Sequence, residues 1–254
     1  MEDEGGRLVV TLLTVENLSK SFGKNEIIYD LNLHVKEGEF VSILGPSGSG
    51  KSTLFNLIGG LLTPESGSIT LQGNKINGKR GSISFMPQTP SLLPWRTTLQ
   101  NVLLGQELQG RIDKNTAKEM LERAGLGDYI DSYPHQLSGG MKQRAAFIRA
   151  LLSPQPIICL DEPFSALDEL TRLDMQKWLL DIWDAHRPTV LFVTHNIDEA
   201  LYLSDRILIL TDRPARIGFE FIVPFTRPRK EELMLDESFL QCKKTIHFAL
   251  KEGS

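Results

Sequence analysis

Cysteine is scarce: Cys159 and Cys242 are the only two in 254 residues, far apart and without CxxC or Cys/His spacing. That argues against a disulfide framework and a zinc site, and it fits a reducing cytosol. No apolar run approaches the ~20 residues that span a bilayer. The start, MEDEGGR, is acidic where a signal peptide would be basic. If such a chain works at a membrane, another chain must take it there. Excess positive charge is missing too. With a formal net charge of −4 and no long Lys/Arg block, no nucleic-acid footprint is visible. Internal repeats and low-complexity stretches are also absent. What remains is 41% hydrophobic and 24% charged, enough for one large α/β domain or two small ones.

The most informative stretch is Gly45-Pro46-Ser47-Gly48-Ser49-Gly50-Lys51-Ser52-Thr53, between the apolar run Phe40–Leu44 and the helix start Leu54–Ile58. Glycines at 45, 48 and 50 let several N–H groups point at one centre, and the helix N-terminus adds its positive pole. The loop suits phosphate. Lys51 brings a full charge to the β- and γ-phosphates, and the Ser52 hydroxyl completes a Mg²⁺ shell otherwise filled by phosphate oxygens and water. A plain Gly/Ser turn before a helix is the alternative, disfavoured by the flanking strand and helix.

Around this loop the pattern is α/β. Leu8–Leu13 reads as a strand, Val15–Leu18 continues extended, and Ile27–Val35 alternates in period two, which suggests antiparallel pairing. Between them Phe22, beside Gly23 in a turn, is either an ordinary loop aromatic or a flat ring offered to a base. Pro64–Gly67 reads as a turn and Ser68–Leu71 as a short strand. The strand Ile83–Met86 ends at Pro87, with Gln88 at the edge where ligands collect in open α/β sheets. Residues 89–154 look like a helical insertion, with the proline-punctuated loop Leu92–Arg96 and helices over Thr98–Gly105 and Lys114–Ala124.

The insertion closes with Leu137-Ser138-Gly139-Gly140-Met141, where Ser138 is a plausible N-cap and the glycines leave N–H groups open to an anion. Alone this motif is weak. Ile157–Leu160 is a continuous apolar run, as in a parallel strand buried on both faces, and Asp161-Glu162 sit where it emerges. Beside a phosphate loop, Asp161 suits a metal's water shell and Glu162 suits polarising an attacking water; a solvated acidic loop is the alternative. Met175, Trp178, Leu179, Ile182 and Trp183 mark one helix face and read as core. The strand Thr189–Thr194 ends at His195, a third sheet edge with a polar residue where γ-phosphate could lie. Asp198–Leu203 reads as a short helix, Arg206–Leu210 and Phe219–Pro224 as extended, and a last helix puts Phe239, Cys242, Ile246, Ala249 and Leu250 on one face.

With the phosphate loop, Gln88, LSGGM, ICLDE, SALD and His195 in this order, the chain resembles the ATP-binding cassette family, and within it the nucleotide-binding subunits of bacterial importers. LLPWR, LSGGMKQR, HNIDEAL and DRILILTDRPARI look most like the nitrate/sulfonate/taurine group. The resemblance implies a P-loop NTPase core with a mostly parallel sheet, an N-terminal antiparallel β subdomain and the helical insertion. It implies a single domain over 1–254, a helical subdomain at about 89–154 and a helical tail at about 233–254. ATP and Mg²⁺ are the implied cofactors, with Ser52, Gln88 and Asp161 on the metal.

Two copies would face head to tail, each ATP held by Gly45–Thr53 of one and closed over by Ser138, Gly139 and Gly140 of the other. Phe22 would stack on adenine, Glu162 act as general base, His195 as γ-phosphate switch, Gln88 as metal and water contact and Asp168 as a cross-dimer contact. Asn196 departs from the aspartate expected after the histidine. The implied partners are a membrane permease touching Pro94, Trp95 and Arg96 and, indirectly, a periplasmic or extracellular solute-binding protein. The implied location is the cytoplasmic face of the inner (plasma) membrane. The alternative within the family is a soluble ATPase not coupled to transport; a kinase, a GTPase or a nucleotide-binding module without turnover fits the motifs less well. The cargo itself is not legible, because a cassette never touches it.

Overall fold

The computed structural model describes residues 10–252 apart from 212. The acidic start and the first residues of the expected strand at Leu8 lie outside the described residues. The chain opens with a long hairpin, β1 (Thr11–Phe22) and β2 (Asn25–Lys36), whose alternating burial is that of a sheet with one face on a core. Phe22 belongs to β1 and pairs with Asn25, so the turn shrinks to Gly23-Lys24, shorter than the apolar pattern suggested. β3 (Phe40–Leu44) leads to the phosphate loop and α1 (Lys51–Ile58). Strands β4 (Ser66–Leu71) and β5 (Asn74–Lys75) complete a four-stranded antiparallel sheet of order β2-β1-β4-β5. β4 starts two residues early because Ser66 pairs with Ser19 of β1.

After β6 (Ser84–Met86) come the helices α2 (Thr98–Val102), α3 (Leu104–Leu108), α4 (Lys114–Arg123) and α5 (Gly139–Leu151). The single helix expected over 98–105 is thus broken at Leu103. The second piece is held where Gly105 closes on Ser153, leaving only 3.0 Å between Ser153 Oγ and the place a Cβ would occupy. β7 (Ile157–Asp161), α6 (Glu169–His186), β8 (Thr189–Val193), α7 (Ile197–Leu203) and β9 (Arg206–Leu210) follow as alternating units. β10 (Ile217–Ile222) then pairs antiparallel with β9, and α8 (Glu237–Glu252) closes the chain.

These strands form a six-stranded sheet of order β10-β9-β3-β8-β7-β6, parallel from β9 to β6. Strands β3, β7, β8 and β9 are buried at every position, as their mostly apolar runs predict, with Ser42, Asp161, Thr189 and Arg206 as the buried polar members. One face packs on α1 and the antiparallel sheet; the other packs on α5 and α6 through a chain of aromatic rings. Phe40 meets Phe192 at 5.9 Å between centroids, Phe192 meets Phe164 at 5.9 Å, and Phe147 meets Phe164 and Trp178 at 5.8 and 5.9 Å. Trp183 lies in the same layer, with the Arg187 and Arg227 guanidiniums 4.1 and 3.8 Å from its ring centre. The tryptophans of α6 are core, as their spacing predicts.

Arg229 pins the C-terminal segment to this body. Only 7% exposed, it donates through Nη1 to the carbonyls of Leu201, Tyr202 and Ser204, capping the end of α7, and through Nε and Nη2 to Phe225 O. Burial lowers its pKa to about 10. Truncation would strand several buried carbonyls, so Arg229→Ala should lower the unfolding free energy by about 3 kcal/mol. Urea denaturation measures this, and an unchanged midpoint would show that the segment is not held by this contact.

Candidate functional site

Parallel pairing places the carboxyl ends of β3, β6, β7 and β8 along one edge, and each delivers a polar residue there. From β3 the chain enters Gly45–Ser49. Gly50 stands at φ 102° as the N-cap of α1, and a Cβ there would lie 3.1 Å from Ile27 Cγ2, so glycine is required for both conformation and space. Lys51 is 8% exposed and folded over the loop, its Nζ donating to Gly45 O and Pro46 O at 2.7 Å each. Burial loosens its hold on the proton relative to an ordinary lysine, with Glu162 and Asp161 opposing that shift. Ser47 and Gly48 face outward, and Ser52 is exposed at the helix start. Arg213, which the sequence pattern did not single out, donates from Nε to Gly48 O at 2.6 Å.

Asp161 ends β7, 4% exposed. Burial pushes its carboxyl above the usual aspartate range; a hydrogen bond from the Ser52 hydroxyl offsets part of this, Glu162 adds to it and Lys51 subtracts. Glu162 has φ +48°, an uncommon conformation for a non-glycine residue that is held here by its N–H donating to Val193 O at 2.9 Å. The turn throws the carboxylate between the ends of β6 and β8. Gln88 Nε2 donates to Glu162 Oε2 at 2.9 Å, and His195 Nδ1 stands 3.2 Å from Glu162 Oε1. Gln88, Glu162 and His195 therefore form one row, although 107 residues separate its ends.

Behind the row is a cavity of about 60 Å³ lined by Glu162, Phe164, Ser165, Arg172, His195 and Glu199, among others, which is room for water. Gln143, fully buried on α5, donates to Glu162 O at 3.1 Å and accepts from Ala166 N–H at 2.8 Å, tying α5 to the turn after β7. Asn196 accepts from the N–H groups of Asp198 and Glu199 as the N-cap of α7. That task suits asparagine as well as aspartate, so the departure at 196 has a local explanation.

Other expected site residues stand apart from this row. Ser138 caps α5 by accepting from Met141 N–H at 3.2 Å, and Asp168 caps α6 by accepting from Thr171 N–H at 3.0 Å and Thr171 Oγ1 at 2.7 Å. Nothing lies within 4 Å of where a Cβ would stand on Gly139. Phe22 is 49% exposed, with Lys20 Nζ 5.5 Å above its ring. In the insertion, Trp95 is 70% exposed. Buried Asn101 sets that loop: its Nδ2 donates to the carbonyls of Leu93, Arg96 and Thr97, and its Oδ1 accepts from Leu93 N–H.

No group of three or more His, Cys, Asp or Glu side chains arranged for a metal occurs among the described residues. The Ser52 hydroxyl is hydrogen-bonded to the Asp161 carboxylate, and the Gln88 amide stands at the same sheet edge through its bond to Glu162. Those are hard oxygen donors, short of a full shell and suited to a cation that brings phosphate oxygens and water with it.

Residues 28–165 match the ABC transporter family. An uncharacterized ABC transporter ATP-binding protein of Methanocaldococcus jannaschii is 44% identical, over 94% of this chain and 91% of the relative. The formylaminopyrimidine import ATP-binding protein ThiZ of Halalkalibacterium halodurans is 43% identical over 97% of this chain and 99% of its own length. The bicarbonate transport ATP-binding protein CmpD of Synechocystis is 41% identical over 91% of this chain and 86% of its own. Among solved structures, a dimeric post-hydrolysis ATP-binding cassette bound to ADP and Pi is similar at TM-score 0.75 and 33% identity, covering 85% of this chain and all of the other. A phosphate loop beside a carboxylate at the edge of a parallel sheet, matched over most of the chain by these relatives, identifies this protein as an ATP-hydrolysing, ATP-binding cassette of the ABC transporter family.

Proposed function

We propose that this cassette is the ATPase subunit of an importer for a small solute, working as a head-to-tail pair beneath a separate membrane permease, at the cytoplasmic face of the inner membrane. Names of the relatives support import: one serves bicarbonate, another formylaminopyrimidine. The nitrate/sulfonate/taurine-like resemblance supports a cargo of that kind or a related metabolite. No helix among the described residues is long and apolar enough to cross a membrane, consistent with a partner chain that does. Residues 1–254 act as one domain, with 89–154 as the helical subdomain facing the permease and 233–254 as a tail.

The observation that carries the catalytic reading is the Gln88–Glu162–His195 row. Glu162, aimed by its strained turn and held from both sides, is the base that polarises the attacking water. His195 turns from Glu162 toward the γ-phosphate when nucleotide is bound, and Gln88 senses the same space from the permease side. Lys51 swings from its loop carbonyls to the β- and γ-phosphates, joined by the N–H groups of Gly45–Thr53, while Phe22 stacks on the adenine. Magnesium would be held by Ser52, Asp161 and Gln88 and would neutralise charge on the phosphate oxygens. Glu162→Gln should keep ATP binding while hydrolysis falls by on the order of 10²–10⁴. Turnover at the parental rate would overturn the general-base assignment.

Dimerisation through ATP is supported by Gly139. Its own subunit leaves open space around it, so the fold does not demand glycine there; close approach of a second copy's nucleotide does. Ser138, Gly139, Gly140 and Asp168 accordingly form the half-site offered to the partner. Gly139→Asp should leave the unfolding midpoint nearly unchanged and abolish the ATP-driven dimer of the Glu162→Gln variant, as read by light scattering. A dimer that survives with ATP would contradict the composite site.

Trp95, exposed on a loop stapled by Asn101 and flanked by Pro94 and Arg96, is the anchor for the permease. In vesicles carrying its permease, Trp95→Ala should lower the permease-stimulated part of the ATPase by about tenfold. Undiminished stimulation would overturn Trp95 as the anchor, and a parental protein that the permease does not stimulate at all would favour the uncoupled, soluble reading.

A further inference from the structure

A second tier of polar side chains lies behind the catalytic row, and the hydrolysis scheme above makes no use of it. Arg172, in the first turn of α6, donates from Nη2 to Leu167 O at 2.9 Å and from Nε to Phe164 O at 3.4 Å. Those two carbonyls lie within the loop that runs from Glu162 to the cap Asp168. The same Nε stands 3.8 Å from Glu199 Oε1. Glu199 sits on α7, 7% exposed, and accepts from Thr194 Oγ1 at 2.5 Å and from Gln176 Nε2 at 3.2 Å. Thr194 Oγ1 in turn accepts from Asn196 N–H at 3.0 Å. The residues on both sides of His195 are thereby tied to Glu199, and through Arg172 to the loop after Glu162.

A buried acid costs stability relative to an apolar side chain of similar size, so packing alone does not call for one between Ala200 and the end of β8. Only Glu199 is buried, while the Arg172 side chain keeps 30% of its surface exposed, so the pair is held by the hydrogen bonds each partner makes. Shifting one partner without the other breaks those bonds and leaves the Glu199 side chain without its partners. The carbonyls Arg172 holds end at Asp168, on the surface that a second copy would press.

We propose that Arg172 and Glu199 are positioning residues for hydrolysis: together they lock the Phe164–Leu167 loop to the Thr194–Asn196 turn, so that docking of the partner subunit at Asp168 sets the distance of His195 from Glu162. This rests on the roles given above to Glu162 and His195. Neither Arg172 nor Glu199 need touch ATP. The pair carries the report that the dimer has closed.

A double-mutant cycle tests this on the full chain, with Arg172→Gln, Glu199→Gln and their combination, and with Glu162→Gln as reference. Steady-state ATPase is measured beside the Kd of a fluorescent ATP analogue and the thermal midpoint. Each single variant should lose about tenfold in kcat with Kd and KM within about twofold, and the double should lose no more than the singles. Glu199→Asp and Arg172→Lys, which keep the charges, should recover part of the loss; Arg172→Leu and Glu199→Leu, which remove them, replace the Gln variants in the cycle if those do not fold. Kcat at the parental level, losses that multiply in the double, or losses that follow Kd and midpoint would each overturn the proposal. If Glu162→Gln is inactive while the Arg172 and Glu199 variants run at the parental rate, the lock alone fails. If Glu162→Gln is also fully active, the site reading beneath it fails as well.

Discussion

Parallel pairing from β9 to β6 is the constraint on which the site depends. In a parallel ladder every strand must leave the sheet at the same edge, so β3, β6, β7 and β8 deliver their next residues to one line. The phosphate loop, Gln88, Asp161-Glu162 and His195 are those next residues. The register of those strands means that a shift of one of them would move the polar residue at its end by a full residue, about 3.3 Å, away from its partners. The aromatic layer beneath, from Phe40 through Phe192 and Phe164 to Trp178, opposes such a shift because its rings interlock.

On that edge the electrostatics are arranged around an anion that binds and leaves. Lys51 is turned onto its own loop, where two carbonyls satisfy it. Glu162 is likewise held by Gln88 and His195. Under the function proposed above, nucleotide would replace each of these contacts, so binding would exchange one set of charge-assisted hydrogen bonds for another. The conformational strain at Glu162 persists because its N–H is fixed on β8, which keeps the carboxylate aimed whatever the site contains.

Much of this was legible in the chain itself, because loops that bind phosphate and strands that end in acids are local patterns. GPSGSGKST, ICLDE and the polar residues after two further strands need only a neighbourhood of ten residues to be read. Gln143, Asn101, Arg172, Glu199 and Arg213 were not legible, since each matters through carbonyls or side chains distant in sequence. A weak signal existed for two of them: Gln143 precedes the apolar Ala145-Ala146-Phe147 face of α5, and Glu199 leads directly into Ala200-Leu201, so both are polar side chains on otherwise apolar surfaces. Phe22 was misread as a turn residue because hairpin turn length depends on cross-strand register, which composition does not encode. The break at Leu103 escaped the helical pattern for a similar reason: the close approach of Gly105 to Ser153 is tertiary.

Ser138 accepts from Met141 N–H as the cap of α5, and nothing of its own subunit lies within 4 Å of where a Cβ would stand on Gly139, which leaves this turn open to a partner. The similar solved cassette is a dimer, and the head-to-tail pair proposed above brings this half-site to the phosphate loop of a second copy. Complementation addresses this most directly. Lys51→Ala should silence the phosphate loop and Gly139→Asp the half-site offered to the partner, so each homodimer is inactive. When the two purified variants are mixed, one site of the heterodimer joins an intact phosphate loop to an intact glycine pair, and ATPase activity should reappear. A mixture as inactive as either variant alone would contradict the account.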